Sequence, residues 1–295
     1  MSLRQYQQMK EGRGFIAALD QSGGSTPKAL DLYGISGDMY ANEEEMFDLI
    51  HDMRRRIITN PAFDSSKIIA AIIFEQTMER KIEGKYTPAY LWKRKGIVPI
   101  LKVDQGLSEE KNGVQLMKPL DQLDALLDRA KKHRVWGTKM RSVIKKANRK
   151  GIQEIVDQQF DIGRRIFARG LFPILEPEVD IHAKDRKKIE KMLKESILER
   201  LKNVPESQPL MFKLTLPIEP DFYREIIDHP SVLRVAALSG GYTREEANSQ
   251  LAQNPGLIAS FSRAFTEGLK KEQSEEEFTD ILAESVNSIY EASIL

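Results

Sequence analysis

Eight short apolar runs, separated by charged segments with helical spacing, constrain this chain more than any other feature. The runs are Gly14–Asp20, Ile68–Glu75, Ile97–Asp104, Val135–Arg141, Leu171–Glu176, Leu210–Leu216, Val232–Leu238 and Leu257–Phe261. A strand apolar on both faces belongs in a parallel sheet covered on both sides. Parallel neighbours need crossovers, and amphipathic segments near 42–58, 121–132, 151–169, 184–202, 220–228, 243–252 and 274–292 supply them. The stretch Tyr86–Lys95 is the least helix-like of the connections. Thr243-Arg-Glu-Glu246 and Ser274-Glu-Glu-Glu277 fit the capping box, and Asn42 precedes three glutamates in a first turn. Eight such units with right-handed crossovers close into a barrel, so an α/β fold of the (β/α)8 TIM-barrel type is expected, as a single domain over residues 1–295. An open doubly wound sheet is the alternative, but its Gly-x-Gly-x-x-Gly signature does not follow the first run.

Composition narrows the function classes. The chain has 295 residues, 41% of them hydrophobic, enough for one large core. Its 45 basic and 44 acidic residues nearly cancel, so no global field calls for nucleic acid or an anionic membrane. With no cysteine there is no disulfide, thiolate nucleophile or cysteine-held metal. The N-terminus is polar, and no run approaches the ~18 apolar residues that cross a bilayer. A cytoplasmic protein is expected.

Nearly every run gains an ionisable residue late: Asp20, Glu75, Lys102, Lys139, Glu176, Lys213, and Arg263 just past the eighth. Active sites of such barrels lie at the carboxyl ends of the strands. Period-two alternation puts Lys139 with Arg141 on one face, and Glu176 with Glu178. Lys213 stands in the middle of a doubly apolar strand, where an ammonium is costly unless paired or deprotonated. It is therefore either an amine nucleophile that forms a Schiff base with a carbonyl, or a structural lysine paired with a glutamate. Two serine–glycine loops, Asp20-Gln-Ser-Gly-Gly-Ser25 and Ser239-Gly-Gly241, offer backbone N–H groups to anions, and Arg263 adds a bidentate partner. Together they suggest a substrate with two phosphates; ordinary turn glycines are the competing explanation. His51, His133, His182 and His229 are scattered without metal-ligand spacing and are expected at solvent-facing helix ends or loops, with His182 the one that could reach the mouth. Trp136 and Phe261 read as core.

The motifs Phe15-Ile-Ala-Ala-Leu-Asp-Gln-Ser-Gly-Gly-Ser25, Leu101-Lys-Val-Asp-Gln-Gly106, Thr138-Lys-Met-Arg141, Pro173-Ile-Leu-Glu-Pro-Glu178, Met211-Phe-Lys-Leu214, Leu238-Ser-Gly-Gly241 and Phe261-Ser-Arg-Ala264 follow one another in order. As an ordered set they resemble the class I, Schiff-base-forming fructose-bisphosphate aldolases, most of all the shorter bacterial members. The resemblance implies Lys213 as nucleophile, Glu176 as general acid–base and Asp20 beside the hydroxyl whose deprotonation breaks the carbon–carbon bond. It implies Lys139 as a second cation that favours the neutral amine, with Glu178 helping to position the pair. Ser239, Gly240, Gly241 and Arg263 would hold one phosphate, with Ser22, Ser25 and Lys102 at the other and Arg141 lining the substrate site. No cofactor or metal is implied, and the partner is a small phosphosugar; self-association is left open. Departures from the animal pattern are Gln21 for glutamate, Ala29 for arginine, Met140 for tryptophan and Ser262 for glycine. The chain also stops at Ala292-Ser-Ile-Leu295, short of a tail tyrosine. Another ketose bisphosphate as substrate, or a non-catalytic phosphosugar binder, are the competing functions.

Overall fold

The computed structural model describes residues 2–295. All eight apolar runs are strands: β1 (Phe15–Leu19), β2 (Ile68–Ile73), β3 (Val98–Lys102), β4 (Gly137–Ile144), β5 (Phe172–Val179), β6 (Leu210–Thr215), β7 (Val232–Leu238) and β8 (Leu257–Ala259). They pair in parallel and in chain order. At the seam between β8 and β1, Ala18 N donates to Phe261 O at 3.3 Å, so the sheet is a nearly closed barrel. A doubly wound sheet would reverse strand order at a switch point. None does here.

The helices are α1 (Leu3–Glu11), α2 (Ser25–Leu32), α3 (Glu43–Thr59), α4 (Leu123–Lys132), α5 (Arg149–Ala168), α6 (Arg186–Leu201), α7 (Arg244–Leu251) and α8 (Glu275–Ser293). Both capping boxes form, and the Asn42 side chain accepts from Glu45 N at 3.0 Å. The segment 220–228 shrinks to one turn, Arg224–Ile227, because Pro220 and the left-handed Asp221 (φ 57) delay its start. Tyr86–Lys95 becomes an α-turn, Thr87–Tyr90, running into a π-turn, Leu91–Lys95, that ends at Gly96.

Helix α1 was not foreseen, since only Gln5 and Met9 of it are buried. It plugs the amino end of the barrel: Met9 joins the interior cluster, and Arg234 donates to Met9 O (2.9 Å) and Lys10 O (2.6 Å). Above this plug the inward faces alternate with period two. Ile16 and Ala18 lead to Asp20, Val98 and Ile100 to Lys102, Phe172 and Ile174 to Glu176, and Met211 to Lys213. The apolar layers of the barrel thus continue upward into a layer of charge.

Outside β6 and β7, a buried pair braces the two strand ends. Arg186 Nε meets Glu190 Oε1 at 2.7 Å, and Arg186 also donates to Leu216 O and, at 2.7 Å, to the Tyr242 hydroxyl. Glu190 accepts from Ile218 N at 3.1 Å. Removing one partner of a buried pair costs about 3–5 kcal/mol, because the other charge is left uncompensated. Arg186→Met is therefore expected to lower the free energy of urea unfolding by that order, and adding Glu190→Leu to restore part of it. Equal stability of Arg186→Met and the parent would show that the pair contributes nothing.

Candidate active site

A cavity of about 570 Å³ opens at the carboxyl ends of the strands. At its floor four charged side chains of alternating sign touch in series. Lys139 Nζ lies 2.6 Å from Asp20 Oδ2 and 2.8 Å from Glu176 Oε2, while Glu176 Oε1 lies 3.0 Å from Lys213 Nζ. None of the four is more than 7% exposed. Burial pushes Asp20 upward, but Lys139, then Lys213 and Lys102, hold its carboxyl well below the usual range. Glu176 is likewise lowered: burial opposes, and Lys139 and Lys213 prevail. Burial would depress Lys139, yet Asp20, Glu176 and Asp104 raise it above the ordinary lysine value. The two readings of Lys213 meet in one geometry, since it is paired with a glutamate and also faces the cavity.

The rim is built from loops. Ser22, Ser25, Ser239, Gly240 and Arg263 all line the cavity. Helix α2 begins at Ser25, so its amino end faces the same space. In the loop after β7, Gly240 has φ 63, and a Cβ there would lie 2.6 Å from Ile181 Cγ2. Gly241 is not on the cavity wall but approaches Arg263, whose Nη2 would lie 3.6 Å from an added Cβ. Arg263 opens the short turn Arg263–Thr266 and is exposed.

Other expectations need correction. Glu75 turns away from the cavity and pairs with Arg129 on α4, because β2 ends at Ile73 and Glu75 already belongs to the next turn. Glu178 does not contact the lysines; it holds Arg141, Nε to Oε2 at 2.5 Å. Lys102 is on the cavity wall, but its ammonium is engaged by Asp104, at 2.6 Å to Oδ1 and 2.9 Å to the carbonyl. His51 is buried in α3 rather than solvent-facing, 3.2 Å from Lys81 O. His182 lies outside the cavity wall. Trp136 and Phe261 are core, at 2% and 1% exposure.

Four side chains near the cavity had been given no role from the sequence. Asp104 ties Lys102 to the Arg141 backbone N (3.1 Å). Ser260, 1% exposed at the end of β8, lines the cavity with an unpartnered hydroxyl. Gln21 and Arg54 join beneath the first loop, where Arg54 Nη2 donates to Gln21 O at 2.6 Å. The inward parity of Ser260, two residues beyond Ile258, and the place of Arg54 on the apolar stripe of α3 were signals available beforehand, and Gln21 stood out as a departure from the animal pattern.

A barrel whose carboxyl-end cavity interleaves two lysines with two carboxylates is equipped for carbonyl chemistry. The chain belongs to the class I fructose-bisphosphate aldolase family: the family model for glycolytic fructose-bisphosphate aldolase class-I matches residues 4–215. It is accordingly an aldolase, a carbon–carbon lyase. In fold it is similar to the fructose-bisphosphate aldolase of Plasmodium falciparum, solved in complex with TRAP and a small-molecule inhibitor. The TM-score is 0.73 at 20% identity, over 98% of this chain and 92% of that one. No helix among the described residues is long and apolar enough to cross a membrane.

The charge layer sets a pH window. Asp20 and Glu176 are depressed on folding, so their stabilisation is present above the unfolded carboxyl value of about 4 and is lost as pH falls through their folded values. Lys139 is raised, so its contribution is present below about 10.4 and is lost as pH rises beyond it. Urea unfolding between about pH 5 and 2 is expected to show a flatter acid slope in Asp20→Asn than in the parent. An unchanged slope would mean that Asp20 is not an ionised partner of Lys139.

Proposed function

We propose that this aldolase cleaves fructose 1,6-bisphosphate reversibly to dihydroxyacetone phosphate and glyceraldehyde 3-phosphate through a Schiff base at Lys213. The observation that carries the reading is the buried series Asp20–Lys139–Glu176–Lys213 below a cavity with serine–glycine loops on its rim. Glu176 Oε1, 3.0 Å from Lys213 Nζ, takes the ammonium proton and frees the lone pair. The amine adds to the C2 carbonyl, and the carbinolamine loses its hydroxyl as water when Glu176 returns the proton. The iminium then accepts electrons. Asp20, held ionised by Lys139, removes the C4 hydroxyl proton, the C3–C4 bond breaks, and its pair moves through C3 to nitrogen as an enamine. Because the iminium is the electron sink, the step needs no Lewis acid. Protonation at C3 and hydrolysis of the second iminium regenerate the amine.

Ser239 and Gly240, the backbone of Gly241 and the Arg263 guanidinium bind one phosphate; Ser22, Ser25 and Lys102 approach the other, with Arg141 oriented by Glu178. Residues 1–295 act as one domain with its active site at the carboxyl ends of the strands, in glycolysis or its reverse, in the cytoplasm.

Intact-mass analysis after borohydride treatment with dihydroxyacetone phosphate is expected to give a reduced adduct on Lys213. Lys213→Met should lose the adduct and lower kcat by on the order of 10³-fold or more. Cleavage within tenfold of the parent in that variant sinks the mechanism. For Arg263→Ala, KM for the bisphosphate should rise about tenfold or more, the weight of one charge-assisted contact, while kcat falls less. A loss confined to kcat would contradict a binding role.

A further inference from the structure

The barrel has one weak join. Successive strands from β1 to β8 share registers of two to eight residues, whereas among the described residues β8 meets β1 through the single backbone bond from Ala18 N to Phe261 O. The loops that leave this seam both line the cavity: Ser22 to Ser25 above β1, and Ser262 with Arg263 above β8. A gap opening there would change the spacing between the two candidate phosphate loops.

A side-chain chain crosses the seam at this height. Gln21 Nε2 donates to Ser262 Oγ at 2.9 Å. From below, the fully buried Arg54 Nη2 donates to Gln21 O (2.6 Å) and Gln21 Oε1 (3.2 Å), which fixes the amide with its NH2 toward Ser262. Arg54 Nη1 donates to Thr77 Oγ1 at 2.7 Å, anchoring the brace to the turn after β2. Burial lowers the Arg54 pKa only to about 10, so the guanidinium stays charged at neutral pH. Gln21 is 8% exposed and Thr77 1%, which shields the Arg54 bonds from competing water, while the bond to the half-buried Ser262 is partly open.

We propose that Gln21, oriented by Arg54, is a positioning residue whose bond to Ser262 latches the two phosphate loops together across the β8–β1 seam and sets the enzyme's preference for a doubly phosphorylated ketose. The inference rests on the proposed aldolase reading and adds a specificity device to it. Gln21 and Ser262 act as one unit, so their effects are not additive.

The test is a double-mutant cycle of Gln21→Leu, Ser262→Ala and the pair, with steady-state kinetics on fructose 1,6-bisphosphate and fructose 1-phosphate. Each single variant is expected to raise KM for the bisphosphate about fivefold, the weight of one neutral hydrogen bond, with kcat within about twofold. The double variant should match the singles, and the bisphosphate-to-monophosphate ratio of kcat/KM should fall in all three. Multiplying effects, or an unchanged ratio, overturn the latch. A fall in Tm and kcat with the ratio preserved would reduce Gln21 to a structural residue and equally overturn it. Borohydride trapping at Lys213 in the parent separates the two ideas: an adduct without coupling defeats only the latch, and no adduct defeats the Schiff-base reading.

Discussion

Everything in this structure is arranged around two ammonium groups and two carboxylates that touch in alternation below a cavity. Burying any one of them alone would cost several kcal/mol. In series each charge meets its opposite, and Glu176, touched on both oxygens, is the shared member. The series also dictates the topology. Asp20 leaves β1 and Lys139 lies on β4, three strands away in the sheet order. Strands are spaced about 4.8 Å apart, so an open sheet would separate these positions by roughly 14 Å, beyond the reach of one lysine. Only a sheet curled on itself brings Lys139 Nζ to 2.6 Å from Asp20.

A charge layer of this kind needs rigid surroundings, because a small displacement would leave a buried ion unpaired. The apolar layers below it, from Met9 up through Ile100 and Ile174, fill the barrel and support the strands from inside. Outside, buried arginines hold the loops: Arg186 grips Leu216 O and Tyr242 behind β6 and β7, and Arg54 grips the loop after β1. Each guanidinium joins separate elements through a planar fork, a geometry lysine lacks. The loops themselves need freedom of another sort. Gly240 adopts φ 63 against Ile181, where any side chain would both strain the backbone and collide.

The fold was legible because strand parity is a local signal. Doubly apolar runs mark strands, and a charge two residues past an inward apolar position must itself point inward, as in Ile174 followed by Glu176. That rule reached Asp20, Lys102, Glu176 and Lys213, and it excludes Glu75, which stands two residues past the outward-facing Ile73. Pairings across strands were not legible. Glu178 was expected to serve the lysines but holds Arg141, since the choice depends on which neighbouring strand end lies closer. Arg54 is one of three consecutive arginines; its spacing from Ile50 and Ile57 puts it on the buried stripe of α3, but its partners Gln21 and Thr77 lie on other elements and were not readable locally. Helix α1 carries too few buried residues to announce itself. Gln21 and Ser262, noted separately as departures from the animal pattern, turn out to be bonded to each other across 241 positions.

The neutrality of the layer bears on how a lysine inside it could act as a nucleophile. Two positive and two negative groups sum to zero, so the cavity floor presents no net charge to be discharged before reaction. Moving a proton from Lys213 to Glu176 converts one ion pair into two neutral groups and leaves the sum unchanged. In water such a transfer abandons two favourable hydration shells; here burial already disfavours the charged carboxylate, while Lys139 and Lys213 pull the other way and hold it ionised at rest. Lys139 and Asp20 remain ionised beside it, each stabilised by the other. In the proposed mechanism, Glu176 then carries the proton that the carbinolamine hydroxyl needs in order to leave as water. On that proposal one buried carboxylate, in contact with both lysines, would free the amine and pre-load the acid for the following step.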